Sequence, residues 1–190
     1  MAIMKEFLHS FGILANEEID SFIELLVPKT LKKGEFFIKE YITYKHVAFI
    51  KKGAFRSFYY SSQEEDVTYC FTFENAFLTA YSSLITQSPA TENIEAITNS
   101  ELLMISKKNL DLLESKSPNW TKMYRRIAES EYIKLEKRIF LLQRESAESR
   151  YSDLVNNQPL YLNSIPLNYL ASYLGITTRH LSRIRKSYHL

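Results

Sequence analysis

The sequence predicts an α+β protein built from an antiparallel β-roll, a long helix and a C-terminal all-α segment, in that order. Three patterns carry this prediction: short alternating apolar runs over residues 31–103, an unbroken helical period over 119–144, and two short helical repeats at the end. We therefore divide the chain into a sheet domain over 1–116, a helix over 117–144 and a helical domain over 145–190.

Composition excludes several classes of protein. The chain has 190 residues, 45% of them hydrophobic and 24% charged, which is enough to bury a core without cross-links. The single cysteine, Cys70, excludes disulfides, four-cysteine zinc sites and cysteine-held iron–sulfur clusters within one chain. We see no secretory signal and no apolar stretch near the roughly 20 residues that a membrane span needs, so we expect a cytoplasmic protein.

The ionisable residues also argue against an enzyme. The four histidines are scattered, and the few acidic residues on the predicted strands, such as Asp66 and Glu101, have no evident partners. A catalytic β-roll needs clustered metal ligands or an acid–base pair. We therefore expect no catalysis and no metal or other cofactor.

Near the N-terminus, Asn16 is the expected cap of a helix that Pro28 ends. Short aromatic and β-branched runs follow, separated by turn residues that include Gly34 and Gly53, and a weakly helical stretch over Phe77–Ile85 interrupts them. The predicted strands are Phe36–Ile38, His46–Ile50, Ala54–Tyr60, Val67–Phe71 and Glu101–Ile105. This spacing is typical of an antiparallel roll.

A second feature is the long helix. Ser117 followed by Pro118 forms an N-terminal cap, and neither glycine nor proline recurs before Pro159. The helix is roughly 39 Å long at about 1.5 Å per residue. Its stripe consists of Trp120, Tyr124, Ile127, Glu131, Leu135, Ile139 and Leu142. One apolar seam between charged flanks favours pairing with a second copy of the chain, and the alternative is a helix that lies on its own sheet.

The C-terminal residues 165–188 fit a helix-turn-helix. Pro166 starts the first helix, Gly175 ends it, and Thr177 caps the second. Leu181 and Ile184 are then expected to face the first helix. The spacing of small, glycine and apolar positions is the one that this motif requires.

The charge of this segment points to a polyanion. No acidic residue follows Asp153, whereas Arg179, Arg183, Arg185 and Lys186 are basic. Because arginine pairs with guanine in the major groove, we assign base reading to Thr178, Arg179 and Arg183. The residues assigned to DNA phosphates are Thr177, His180, Ser182 and Lys186. The alternative is a small-ligand sensor or signalling module whose C-terminal helices make protein contacts.

In this order of segments the chain resembles the Crp/Fnr family of bacterial transcription regulators. The resemblance rests on Leu31–Glu35 and Phe49–Arg56 in the sheet domain, and more specifically on Leu170–Ile176 and Leu181–Lys186 in the tail. It implies a cyclic-nucleotide-binding-like β-roll (a double-stranded β-helix) and a homodimer joined through the helix Trp120–Leu142. It also implies a two-fold symmetric operator and contact with RNA polymerase.

The chain departs from the family in the reading helix and at the C-terminus. Arg179 occupies the place of an acidic base reader that is frequent in the family, so we expect a different preferred site. The family's β-hairpin wing has no counterpart after Tyr188, so we expect the backbone contacts of that wing to be missing.

The cassette that holds a cyclic phosphate departs further. The family has a Gly-Glu pair and, about ten residues later, an Arg followed by Ser or Thr. Here Thr79 lies near the Glu position and Ala90 near the Arg position, and only Thr91 is kept. A buried phosphate without a cation is costly, so we expect no tight binding of cyclic AMP. A pocket for an unidentified effector would involve Thr79, Ser82, Ser83 and Thr91.

Overall fold

The computed structural model describes residues 2–188, without the side chains of residues 160 and 161. The helices are α1 Ala2–His9, α2 Asn16–Glu24, α3 Tyr81–Thr86, α4 Lys107–Lys116, α5 Pro118–Arg144, α6 Ala147–Asn157, α7 Leu160–Ser164, α8 Leu167–Leu174 and α9 Thr178–Ser187. The strands are β1 Val27–Leu31, β2 Phe36–Ile38, β3 His46–Lys52, β4 Phe55–Tyr60, β5 Asp66–Thr72, β6 Phe77–Leu78, β7 Asn93–Ala96 and β8 Ser100–Ser106.

The strands form two antiparallel sheets of four strands each, in the orders β1-β8-β3-β6 and β2-β7-β4-β5. Apolar side chains from both sheets, among them Phe37, Ile50, Phe55 and Leu102, fill the space between them. Burial of such side chains supplies most of the stability of a roll of this kind. The prediction of an α+β fold with an N-terminal roll is confirmed.

The N-terminal helices differ from the expectation in detail. Asn16 is the first residue of α2 rather than its cap, and the backbone N–H of Ala15 instead donates to the Glu18 carboxylate at 2.7 Å. Helix α2 already ends at Glu24, so Pro28 lies in β1. The stretch that was expected to be weakly helical divides into β6 and α3. Helices α1, α4 and α7 were not predicted, although α4 begins at a side-chain cap, the Ser106 hydroxyl, which accepts from the Asn109 N–H at 3.2 Å.

Helix α5 begins as predicted, because the Ser117 hydroxyl accepts from the Asn119 N–H at 3.2 Å. Its first half packs on α2, where the rings of Phe22 and Trp120 stack with 5.5 Å between centroids. Although α5 has 27 residues, within residues 2–188 neither it nor another helix has the length and apolar character to span a bilayer.

The C-terminal helices α6, α8 and α9 share a core of their own, which also reaches the roll. Its largest contributors are Tyr151 of α6, Leu170 and Leu174 of α8, and Leu181 and Ile184 of α9. Phe71 of β5 and Ile97 of the roll belong to the same cluster. The helical domain therefore packs directly against the sheet domain.

Two Lys-Lys-Gly turns of the roll differ in how much space surrounds their glycines. Gly34 (φ +86°) has open space where a Cβ would lie, whereas a Cβ on Gly53 (φ +108°) would lie 2.1 Å from the Ser100 hydroxyl. Gly34→Ala should cost about 1–2 kcal/mol of unfolding free energy from backbone strain alone. Gly53→Ala should cost more, because Ser100 must also move. Denaturant unfolding of both variants checks this, and equal losses would contradict it.

Candidate nucleic-acid interface

The turn between α8 and α9 fixes how the two helices meet. Gly175 ends α8 in the left-handed region (φ +68°), and the N–H of Ile176 donates to the Ala171 carbonyl at 3.0 Å. The hydroxyl of Thr177 then accepts from the His180 N–H at 3.2 Å and caps α9. Each of these residues does locally what the sequence predicts, since glycine adopts this backbone at low cost and threonine is a good cap.

Helix α9 has one buried face and one exposed basic face. Leu181 and Ile184 are buried against α8. The exposed side chains include Thr178, Arg179, Arg183 and Lys186, whereas Ser182 and His180 are half-buried. The structure therefore brings the sequence-predicted DNA residues together on one surface, with the N-terminus of the helix beside them.

His180 and Thr177, both assigned to DNA phosphates, already have partners within the protein. The imidazole Nε2 of His180 lies 3.5 Å from a carboxylate oxygen of Glu148 on α6. Thr177 is exposed, but its hydroxyl is already used as the cap of α9. A phosphate would still meet the backbone N–H groups of this helix N-terminus, which favour anions.

The second half of α5 has apolar side chains that nothing in the described chain covers. Tyr132 is 67% exposed and Leu135 53%, whereas Trp120 in the first half is 2% exposed. Other large apolar residues exposed on this half are Ile133, Ile139, Phe140 and Leu142. Of these, Leu135, Ile139 and Leu142 follow at spacings of four and three along one side of α5, whereas Ile133 and Phe140 lie on another side. A row of exposed apolar residues along one side of a helix is typical of an interaction surface.

The four residues of the expected effector pocket are divided between two environments. The hydroxyl of Thr79 donates to the His46 carbonyl at 2.9 Å, and that of buried Ser83 donates to the Ser88 carbonyl at 2.7 Å. Ser82 and Thr91 are exposed. Two of the four hydroxyls thus form bonds within the roll.

The roll's strands carry one arginine, and it lies against the helical domain. Arg56 of β4 is 3% exposed and forms ion pairs with Asp66 (2.8 Å) and Glu95 (3.0 Å). Its guanidinium lies between the rings of Phe58 and Tyr169, with its central carbon 4.0 and 3.7 Å from their centroids. Because two carboxylates already compensate this charge, Arg56 is not available to a phosphate. The expectation that Asp66 has no partner is therefore wrong, because no spacing rule signals its pairing with Arg56.

Comparison with known proteins identifies the architecture. Residues 28–116 match the family model of the cyclic nucleotide-binding domain. FixK2 from Bradyrhizobium japonicum has a similar structure (TM-score 0.78, 17% identity, covering 86% of this chain and 84% of FixK2). The chain has a Crp/Fnr-like fold.

Two further solved structures have the same Crp/Fnr-like fold. A transcriptional regulator assigned to the Crp/Fnr family from Eubacterium rectale gives a TM-score of 0.71 at 14% identity, covering 94% of this chain and 85% of its own. The catabolite activator protein of Thermus thermophilus gives 0.60 at 17% identity, covering 92% and 83%. No curated protein matches the sequence significantly.

The matched model is named for a nucleotide-binding domain, and the solved structures with the same fold include proteins described as transcription regulators. Within residues 2–188 no group of three or more histidine, cysteine or carboxylate side chains is placed to hold a metal ion. The thiol of Cys70 lies near Glu131 and Lys134 of α5, and burial raises its pKa to about 11. A thiol with such a pKa is protonated and unreactive at neutral pH.

In this Crp/Fnr-like roll a half-buried carboxyl group, that of Glu92, follows Thr91. The hydroxyl of Tyr69 on β5 donates to the carboxylate of Glu92, and buried Ser57 lies beside Tyr69. Burial raises the pKa of Glu92, and burial together with the Glu92 charge raises the pKa of Tyr69. This position therefore holds a carboxyl group and a phenol rather than the cation that a cyclic phosphate needs.

Removing this carboxylate should change how stability depends on pH. Because the folded pKa of Glu92 exceeds the unfolded one, the folded state binds more protons between the two values, and wild-type stability falls as pH rises through that window. Glu92→Gln should remove about 1.4 kcal/mol of that fall per unit of pKa difference. Urea unfolding between pH 4 and about 8 measures this, with Glu65→Gln, an exposed turn carboxyl, as control. A Glu92→Gln profile parallel to wild type would contradict it.

Proposed function

We propose that the protein is a sequence-specific DNA-binding transcription regulator that reads a two-fold symmetric operator as a homodimer through the helix Thr178–Tyr188. One observation supports this above all: the exposed face of α9 carries Arg179, Arg183 and Lys186, and the chain has no acidic residue after Asp153. A helix of this kind fits the major groove of B-DNA.

In this proposal the side chains of α9 divide by role. Arg179 and Arg183 are four residues apart and share a face, so both can reach base edges, and Thr178 lies beside them. Contacts to phosphates come from the helix N-terminus at Thr177 and from Ser182, His180 and Lys186. His180 lies 3.5 Å from the carboxylate of Glu148, and the negative charge of that carboxylate would repel a phosphate at this position.

The homodimer forms through α5. The exposed Leu135, Ile139 and Leu142 continue the stripe of the buried first half at spacings of three and four. A second copy of α5 would cover these side chains, and two α9 helices would then read half-sites one helical turn apart, about 34–36 Å.

Cyclic AMP is not the effector in this proposal, because Ala90 lies near the place of the phosphate-binding arginine, Arg56 is paired elsewhere and the carboxyl group of Glu92 supplies no cation. The similarity of the fold to Crp/Fnr regulators also favours work in the bacterial cytoplasm and contact with RNA polymerase.

DNA binding should depend on salt and on Arg183. Fluorescence anisotropy with labelled genomic fragments should show an affinity that falls a thousandfold or more between about 50 and 200 mM salt, if the dimer makes six or more phosphate contacts. On the best-bound duplex, Arg183→Ala should cost about 1–3 kcal/mol and relax the preference at one base position.

The matched control is Arg185→Ala, which removes the same charge from the opposite side of α9, where the side chain is half-buried. This variant should lose less affinity, and the loss should be similar for all sequences. Undetectable binding to genomic fragments at low salt and high protein concentration would refute the proposal, as would equal and sequence-independent losses for both variants.

The dimer should depend on the stripe of α5. Leu135→Glu places a charge in the seam and should convert a species of twice 22.3 kDa into a monomer in sedimentation equilibrium. Ile133→Glu alters an equally exposed residue on the other side of the helix and should leave the dimer intact. A wild-type monomer at tens of micromolar, or a dimer that survives Leu135→Glu, would count against this interface.

Cyclic AMP should leave thermal stability unchanged. At about 1 mM, a ligand with a micromolar Kd would stabilise the folded state by about 4 kcal/mol, which a melting curve detects readily. The control is a domain known to bind cyclic AMP, measured in the same assay. A rise of several degrees in the Tm of this protein would contradict the expectation.

A further inference from the structure

Helix α8 covers the free edge of the second sheet. Strand β5 is the last strand of that sheet, so one row of its backbone groups has no partner strand. The hydroxyl of Ser172 on α8 accepts from the N–H of Thr68 at 2.9 Å and donates to the carbonyl of Asp66 at 3.1 Å. A single side chain of the helical domain thus bonds two backbone groups of the roll.

A second contact lies beside the first. Tyr169, one turn before Ser172 on α8, covers the outer face of the Arg56 guanidinium, whose other face lies on Phe58. The carboxylates of Asp66 and Glu95 hold this guanidinium in place from within the roll. The ring of Tyr169 therefore meets a cation whose position is already fixed, which makes the contact directional as well as attractive.

Helix α5 also contacts α8 where α8 lies on the roll. Tyr173 packs on Phe71 of β5, with 5.3 Å between ring centroids. Arg138 of α5 lies over the ring of Tyr173 at 3.7 Å and also donates to its carbonyl oxygen. Roll, long helix and α8 thus meet at one place, and α9 lies outside it with its basic face exposed.

We propose that Tyr169 and Ser172 are positioning residues for DNA recognition: they fix the helix-turn-helix on the roll, so that the two copies of α9 in a dimer are held at a single separation. The inference rests on the proposed DNA-binding function. Both side chains face the roll, where they bond or cover groups of β4 and β5, and so we expect them to act without contacting bases. Fixing the orientation before binding reduces the ordering cost of engaging two half-sites at once.

The experiment separates positioning from contact by varying the distance between half-sites. Wild type, Tyr169→Ala and Ser172→Ala are titrated with a duplex that holds both half-sites, with the same duplex lengthened by two base pairs between them, and with a single half-site. Wild type should prefer the original spacing strongly. In both variants the ratio of affinities for the original and the lengthened duplex should fall about tenfold, which is the effect of losing one desolvated contact. Their affinity for the single half-site should stay within about twofold of wild type.

Two further measurements distinguish loss of the contact between α8 and the roll from a general loss of folded structure. Tyr169→Phe keeps the ring over Arg56 and should restore the preference for the original spacing. Hydrogen exchange at the Thr68 amide reports the docking of α8 without DNA, and Ser172→Ala should accelerate it because that amide loses its acceptor.

The outcomes can be told apart. If wild type binds no duplex, the proposed function is wrong and this inference fails with it. If wild type binds with a spacing preference that both alanine variants keep, the function stands and the positioning role is wrong. The role is equally wrong if Tyr169→Phe behaves like Tyr169→Ala, or if the variants lose single half-site binding to the same extent.

Discussion

The packing of Leu181 and Ile184 against α8 is the contact on which the proposed interface depends. Burying two aliphatic side chains of this size contributes about 3–6 kcal/mol, and it leaves the helix only one orientation about its axis. That orientation turns Arg179 and Arg183 toward solvent. Gly175 and Thr177 add the turn geometry and the cap, which set the angle at which α9 leaves α8. The exposure of these arginines, on which the proposed base reading depends, is thus a consequence of burial on the opposite side of the same helix.

The charged side chains of the roll and those of α9 lie in different environments. The tail exposes its cations to solvent, whereas the roll buries Arg56 between two rings and pairs it with two carboxylates. Next to Thr91 the half-buried Glu92 carboxyl accepts from the hydroxyl of Tyr69. A sheet domain that matches the cyclic nucleotide-binding family thus uses its interior charges for packing and domain contact.

Sequence reasoning succeeded where local chemistry determines the structure. Ser117 and Pro118 predict the start of α5, and Gly175 with Thr177 predicts the break between α8 and α9, because caps and left-handed glycines act within a few residues. It was wrong about Asn16, where the Glu18 side chain bonds the Ala15 N–H and the helix needs no side-chain cap at Ala15. The partners of Arg56 and Glu92 are distant in sequence, and no spacing rule connects Arg56 to Tyr169 or Tyr69 to Glu92.

The most direct test of the central claim is selection of bound sequences from a pool of random duplex DNA by the full chain. If two copies of α9 read the major groove through arginines, the enriched sequences should contain two inverted half-sites with guanines, their centres about one helical turn apart. Enrichment without a shared motif, or of a single unsymmetric site, would contradict that account.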